Sequence, residues 1–270
     1  MKFFLSIYLK GLFFFITNKY FRIFFYYTLK ASYKGKTRFQ KVKFLGEKLE
    51  LTNFRSFTWQ YNEIFFKKFY DFMTDKDNPI IIDCGSNIGL SIINFKKQYP
   101  NSIIHSFEAD KFIYSILKKN IEIRAYDSIF LHNQAVWDQD TQLTFLSDGI
   151  DGGKIDSIGS QNKDNVVEAI DFNEYLNQFE CIDFLKMDIE GAETTVIPHI
   201  ADNLKKVKNL FVEFHSFNGV SQNLSNIIST LESKGFRLFI ENPTDKIAPF
   251  INQTGKNNFD LQINIFAYRI

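Results

Sequence analysis

Three short stretches of this 270-residue chain set acids, two of them beside glycine, in a pattern that points to ligand chemistry. "IIIDCGSNIG" at 80–89 drives three isoleucines straight into Asp83, Gly85 and Gly89. A plain turn rarely needs that much glycine, whereas a backbone that must come close to a ligand does. "HSFEAD" then places Glu108 25 residues after Asp83. That is near the spacing at which a strand-end acid accepts hydrogen bonds from ribose hydroxyls. "DFLKMDIEGAE" adds Lys186, Asp188, Glu190, Gly191 and Glu193.

Plainer readings stand beside each. The glycines could simply join strand to helix, Glu108 could be solvated, and Glu190 and Glu193 could cap a helix whose dipole favours acids in its first turn. Lys186 has no such account, because an unpaired ammonium inside an apolar strand needs an anion or must lose its proton. "LFVEFH" offers the anion: Glu213 and His215 share one face of a strand by its period of two. With Asp188 level with His215 on a neighbouring strand, Lys186 falls level with Glu213. The expectation is a buried Lys186–Glu213 ion pair supporting an Asp188–His215 pair at the mouth of a site.

The ligand is narrowed by what is missing. A dinucleotide fingerprint needs a glycine where Asn87 stands. An acid at the strand end repels a pyrophosphate but suits an ammonium-bearing nucleoside without phosphate, such as S-adenosylmethionine. Ser86 and Asn87 belong to the same expected cofactor loop.

The elements that must position these residues alternate. Strands are expected at 80–83, 103–107, 181–188 and 209–215, and a strand with its exit loop at 129–137, with helices at 88–98, 111–121, 172–178, 192–200 and 223–235 between or after them. "FRLFIEN" and "LQINIFAYRI" read as a final antiparallel edge pair, and "WQYNEIFFKKFYDFM" as an amphipathic helix. Such alternation with apolar strands means a mainly parallel sheet covered on both faces, with ligands at the strands' carboxyl ends. The glycine-bearing stretch 147–165 reads as an inserted loop, the expected seat of acceptor selectivity.

Composition excludes several classes. Lys+Arg 32 against Asp+Glu 31 leaves a net charge of +1, with no clustered basic patch for nucleic acid. Cys84 and Cys181 stand apart without histidine companions, which argues against a disulfide framework or zinc site and favours a reducing cytoplasmic setting. Residues 1–40 read as an aromatic, basic helical arm and 41–270 as the catalytic domain. Within the arm, no uncharged run approaches the roughly 20 residues that span a bilayer. Its rings and lysines suit either packing on the domain or a second subunit, making a homodimer, or peripheral contact of residues 1–30 with the inner membrane face.

Taken together, "IIDCGSNIG", "HSFEAD", "LKMDIEGAE" and "VEFH" resemble the FkbM-type methyltransferases over about residues 78–240. The resemblance implies the seven-stranded α/β class I methyltransferase fold, a Rossmann-like three-layer sandwich, with S-adenosylmethionine as cofactor. It puts Asp83, Gly85 and Gly89 in the cofactor loop, Glu108 at the ribose, Ala135 and Val136 of "NQAVWD" near the adenine, and Asp188 and Glu190 in the acidic motif. Ala109 departs from the proline common after the strand-end acid. The implied reaction is O-methylation of a hydroxyl on a sugar, glycan or lipid-linked intermediate. The base is left open: His215 oriented by Asp188, or Asp188 with His215 on the substrate. A third arrangement has Asp188, Glu190 and His215 hold a divalent ion. A non-catalytic nucleoside-binding relative and a nicotinamide-dependent oxidoreductase are the competing classes.

Overall fold

The isoleucines at 80–82 divide between two cores. Ile81 packs with Phe57, Phe95, Leu117 and Phe211 on one side, and Ile82 packs with Met187, Val196 and Phe214 on the other. Period-two alternation in a strand covered on both faces produces this split. In the computed structural model, residues 11–34, 38–146, 154–155, 166–243, 248–252 and 259–269 are described.

In chain order the elements are α1 (Lys19–Lys34), β1 (Arg38–Phe44), β2 (Glu47–Asn53), α2 (Phe54–Tyr61), a π-helical turn (Asn62–Phe66), β3 (Ile80–Cys84), α3 (Leu90–Gln98), β4 (Ile103–Phe107) and α4 (Lys111–Glu122). Then come β5 (Ile129–His132), β6 (Ala135–Trp137), β7 (Thr141–Leu146), β8 (Lys154–Ile155), β9 (Val166–Asp171), α5 (Phe172–Leu176), β10 (Ile182–Met187) and α6 (Glu193–His199). A 3-10 turn (Asn203–Lys206), β11 (Val207–Phe217), α7 (Leu224–Ser233), β12 (Arg237–Glu241) and β13 (Phe259–Tyr268) complete the chain.

Seven strands form the main sheet in the order β5-β4-β3-β10-β11-β13-β12. β3, β4, β5, β10 and β11 pair in parallel, while β13 runs antiparallel to both β11 and β12. This is the order of the class I methyltransferase fold, and strand order reverses between β3 and β10. The two terminal strands do pair antiparallel, with β13 inserted inside the edge and β12 outermost.

Two local expectations shift, and a third falls mostly outside the described residues. The amphipathic helix expected at 59–73 begins earlier, because the Asn53 side chain accepts from Ser56 N at 2.8 Å and caps α2. It ends earlier too, in the π-helical turn, and Lys68 adopts φ 62° beyond it. The stretch 129–137, expected as one strand and its exit loop, holds a second strand in place of the loop: β5 joins the main sheet, whereas β6 pairs with β9 in a second, four-stranded sheet. Apart from β8, the 147–165 stretch lies outside the described residues.

α1 lies against α2. Tyr27 packs edge-on to Phe54, Phe57 and Tyr61, with ring centroids 5.8, 4.9 and 5.2 Å away, and Phe24 stacks on Phe66. Among the described residues, no helix is long and apolar enough to cross a membrane.

Candidate functional site

One cavity of about 350 Å³ opens at the carboxyl ends of β3, β4, β10 and β11. Of the residues singled out from the sequence, Gly85, Ser86, Asn87, Glu108, Ala135, Val136, Asp188, Glu190 and His215 line it. Asp83 and Gly89 do not.

At one end the loop after β3 is held by its neighbour strand. Gly85 and Ser86 donate their N–H groups to the Phe107 carbonyl at 2.9 and 3.0 Å. Asn87, at φ 48°, donates its N–H to Glu108 Oε2, and Asp110 N–H donates to Glu108 Oε1, both at 2.9 Å. Glu108 is thus clamped by two amides at the cavity wall. Burial pushes its pKa up to about 7 against those two hydrogen bonds.

The glycines have another cause than ligand approach. A Cβ on Gly85, at φ 82°, would sit 1.8 Å from the Asp188 carbonyl oxygen. One on Gly89 would meet Leu117 Cδ1 at 2.8 Å, in α4. Chain packs against chain here, and Gly89 lies behind the wall. Asp83, fully buried, accepts from Ser91 Oγ at 2.5 Å and lies 3.6 Å from Lys186 Nζ, so it supports the floor of the cavity.

The expected Lys186–Glu213 ion pair does not form. β10 and β11 align Lys186 with Phe211, two residues short of the expected register. On its other side Lys186 stands level with Asp83. Its ammonium turns that way, donating to the Gly85 carbonyl at 2.8 Å and lying 3.2 Å from Asp188 Oδ2. Burial pulls the Lys186 pKa down, but Asp188, Asp83 and Glu213 outweigh it and hold the ammonium charged. Asp188 and His215 come together for a different reason than register: with Glu213, each offers an atom within 4.8 Å of the others.

His215 is almost fully buried amid acids. Its Nδ1 lies 3.5 Å from Glu193, and its Nε2 lies 3.4 Å from Glu213 and 3.9 Å from Glu190. Burial lowers its pKa, but Glu190, Glu193 and Glu213 together raise it well above the ordinary imidazole value. Glu193 accepts the N–H groups of Ile189 and Gly191, each at 2.9 Å, so the capping expectation holds for it. Glu190 does otherwise. At φ 55° it occupies a conformation costly for a non-glycine residue and lines the cavity, where burial pushes its carboxyl well up.

Sequence reasoning missed several contributors, among them Trp59, Glu63, Tyr70 and Gln262. Gln262, on β13, donates to Glu213 Oε1. Glu63 sits in the π-helical turn, 6% exposed, where burial and then Glu213 and Asp188 raise its pKa well above the usual carboxylate range. A lone acid inside "YNEIFF" was the available signal.

Residues 83–238 match the family described as "Methyltransferase FkbM domain". The chain belongs to the FkbM methyltransferase family. As an FkbM methyltransferase it is 26% identical over 210 residues to "Methyltransferase 1" of Beauveria bassiana, covering 68% of this chain and 82% of that protein. "Methyltransferase sdnD" of Sordaria araneosa is 26% identical over 211 residues, covering 65% and 80%. A crystal structure titled methyltransferase FkbM, from Methylobacillus flagellatus, superposes with TM-score 0.46 at 12% identity, over 74% of this chain and 46% of that one. The protein is therefore an S-adenosylmethionine-dependent methyltransferase, and the oxidoreductase alternative falls away.

Six carboxyl groups, on Glu63, Glu108, Asp110, Asp188, Glu190 and Glu213, line the cavity beside the Lys186 ammonium and the His215 imidazole.

Proposed function

We propose that the Gly85–Asn87 loop, Glu108 and the Ala135–Val136 wall hold S-adenosylmethionine, and that the Asp188–Glu190–Glu213–His215 end receives a sugar, glycan or lipid-linked hydroxyl. The observation that carries this is the joining of both groups in one cavity, with the amide-clamped Glu108 at one end and a surplus of carboxylates at the other. The cofactor supplies a methyl already activated on sulfonium. What the chain adds is alignment and proton removal. Glu190 takes the hydroxyl proton: it lines the cavity, with His215 Nε2 3.9 Å from its Oε2. Asp188 is engaged by Lys186, and His215 is held by Glu193 and Glu213, so both serve to orient the acceptor.

Calorimetry with S-adenosylhomocysteine, and with NAD as the control, tests the cofactor. Binding of the first alone is expected. At 100 times its Kd, it should stabilise the fold by about 2.7 kcal/mol. Glu190→Gln should keep that affinity and lower kcat on a hydroxylated acceptor by roughly 10²–10⁴-fold. Unchanged turnover in this variant would remove Glu190 as the base.

The outer face of α1 extends the proposal to the acceptor's location. Phe25, Tyr26, Leu29 and Tyr33 are exposed there, flanked by Lys19, Arg22 and Lys30, and no acidic residue precedes Glu47. A helix apolar on both faces with cations at its flanks suits an anionic lipid surface. α1 packs on α2, whose Trp59 and Gln60 line the cavity, so a lipid-linked acceptor would be presented close to its mouth.

A further inference from the structure

We propose that Asp188, Glu213 and His215 form a binding site for a hard divalent cation of the Mg²⁺ or Mn²⁺ class at the acceptor end of the cavity. The inference rests on the O-methyl transfer proposed above. The three side chains leave the adjoining strands β10 and β11, and one ligand atom from each lies within 4.8 Å of the others. Two carboxylates and an imidazole, whose Nε2 proton the ion displaces on binding, make an O,O,N set suited to such ions.

The imidazole is mounted for the task. Its Nδ1 faces Glu193 Oε1 at 3.5 Å, and Glu193 is itself fully buried and fixed by the Ile189 and Gly191 amides. A carboxylate behind one ring nitrogen directs the other toward the ion, which is how metal-bound histidines are commonly oriented. Here the other nitrogen, Nε2, faces Glu213 at 3.4 Å on the cavity side.

A separate observation also calls for a donor. Glu63 is 6% exposed and lines the same cavity, yet its Oε1 accepts no hydrogen bond among the described residues. A hard ion that keeps part of its water shell offers O–H donors to such an oxygen. The register supports the same picture: Lys186 is spent on Asp83, Asp188 and the Gly85 carbonyl, leaving Glu213 and Glu63 without an ammonium partner within ion-pair distance among the described residues. An ion held there would lower the pKa of the acceptor hydroxyl, and the released proton passes to Glu190. The oxygen–methyl bond then forms as the methyl–sulfur bond breaks.

The test is Mn²⁺ binding to the full-length, chelator-stripped chain, followed by electron paramagnetic resonance and calorimetry, with S-adenosylhomocysteine binding as the check on folding. One Mn²⁺ per chain is expected. Glu213→Gln and His215→Gln should weaken it at least tenfold while keeping nucleoside affinity. Glu193→Gln, a positioning change, should weaken it by roughly tenfold and alter the resonance spectrum. A chain that binds the nucleoside but no Mn²⁺ at millimolar concentration overturns the site, as does Mn²⁺ bound equally by all variants, an adventitious ion only. Full methyl transfer in the presence of a chelator also overturns it and leaves the proposed function standing. Mn²⁺ bound at the site by a chain without nucleoside affinity supports the ion and overturns the proposed function instead.

Discussion

Single residues carry distinct burdens in this molecule, and Gly85 and Gly46 separate them. Both have positive φ, 82° and 95°, but a Cβ on Gly46 meets nothing within 4 Å, while one on Gly85 meets the Asp188 carbonyl at 1.8 Å. Gly46→Ala should therefore cost about 1 kcal/mol, from backbone strain alone. Gly85→Ala should cost on the order of 3–5 kcal/mol, because overlap with backbone adds to strain. Urea midpoints at constant m measure the difference. His105 makes a second prediction. Its Nδ1 lies 2.8 Å from Tyr175 Oη, which in turn is 3.2 Å from His132 Nε2. Burial, helped by His132, pushes the His105 pKa down from 6.5 to about 4. The native state thus refuses a proton that the unfolded chain accepts, so stability falls as pH drops from about 6.5 toward 4. In His105→Gln that window of acid sensitivity should flatten, as read from Tm against pH.

Among the elements, α1 makes two opposite faces testable. Tyr27 on the inner face joins Phe54, Phe57 and Tyr61 through edge contacts worth about 0.5–1.5 kcal/mol each beyond their area. Tyr27→Ala should loosen α1 and open it to protease while the sheet keeps its hydrogen-exchange protection. On the outer face, Phe25→Asp with Leu29→Asp should abolish co-sedimentation with vesicles containing anionic phosphatidylglycerol and leave nucleoside binding intact. Sedimentation with neutral vesicles alone, or loss of a dimer in the double variant, would redirect the face to another occupant. The π-helical turn belongs at this scale too. Its extra residue per turn falls where Glu63 meets the cavity, and such turns recur at functional sites.

Across the whole molecule, legibility followed the range of the interactions. Alternating apolar strands and the carboxyl-end position of Glu108 and Asp188 are local or periodic, and they were readable. A mainly parallel sheet, a glycine turn after β3 and an acidic motif after β10 follow from local pattern, since strand period and turn chemistry act over a few residues. Tertiary structure alone decided the β10–β11 register, which turned Lys186 toward Asp83 and left Glu213 to His215 and Gln262. It also decided that Glu63, far upstream of the motif, completes the cavity. Register between strands depends on how two buried faces interlock over their whole length, and a side chain's partner across a sheet leaves no trace in its own neighbourhood of sequence.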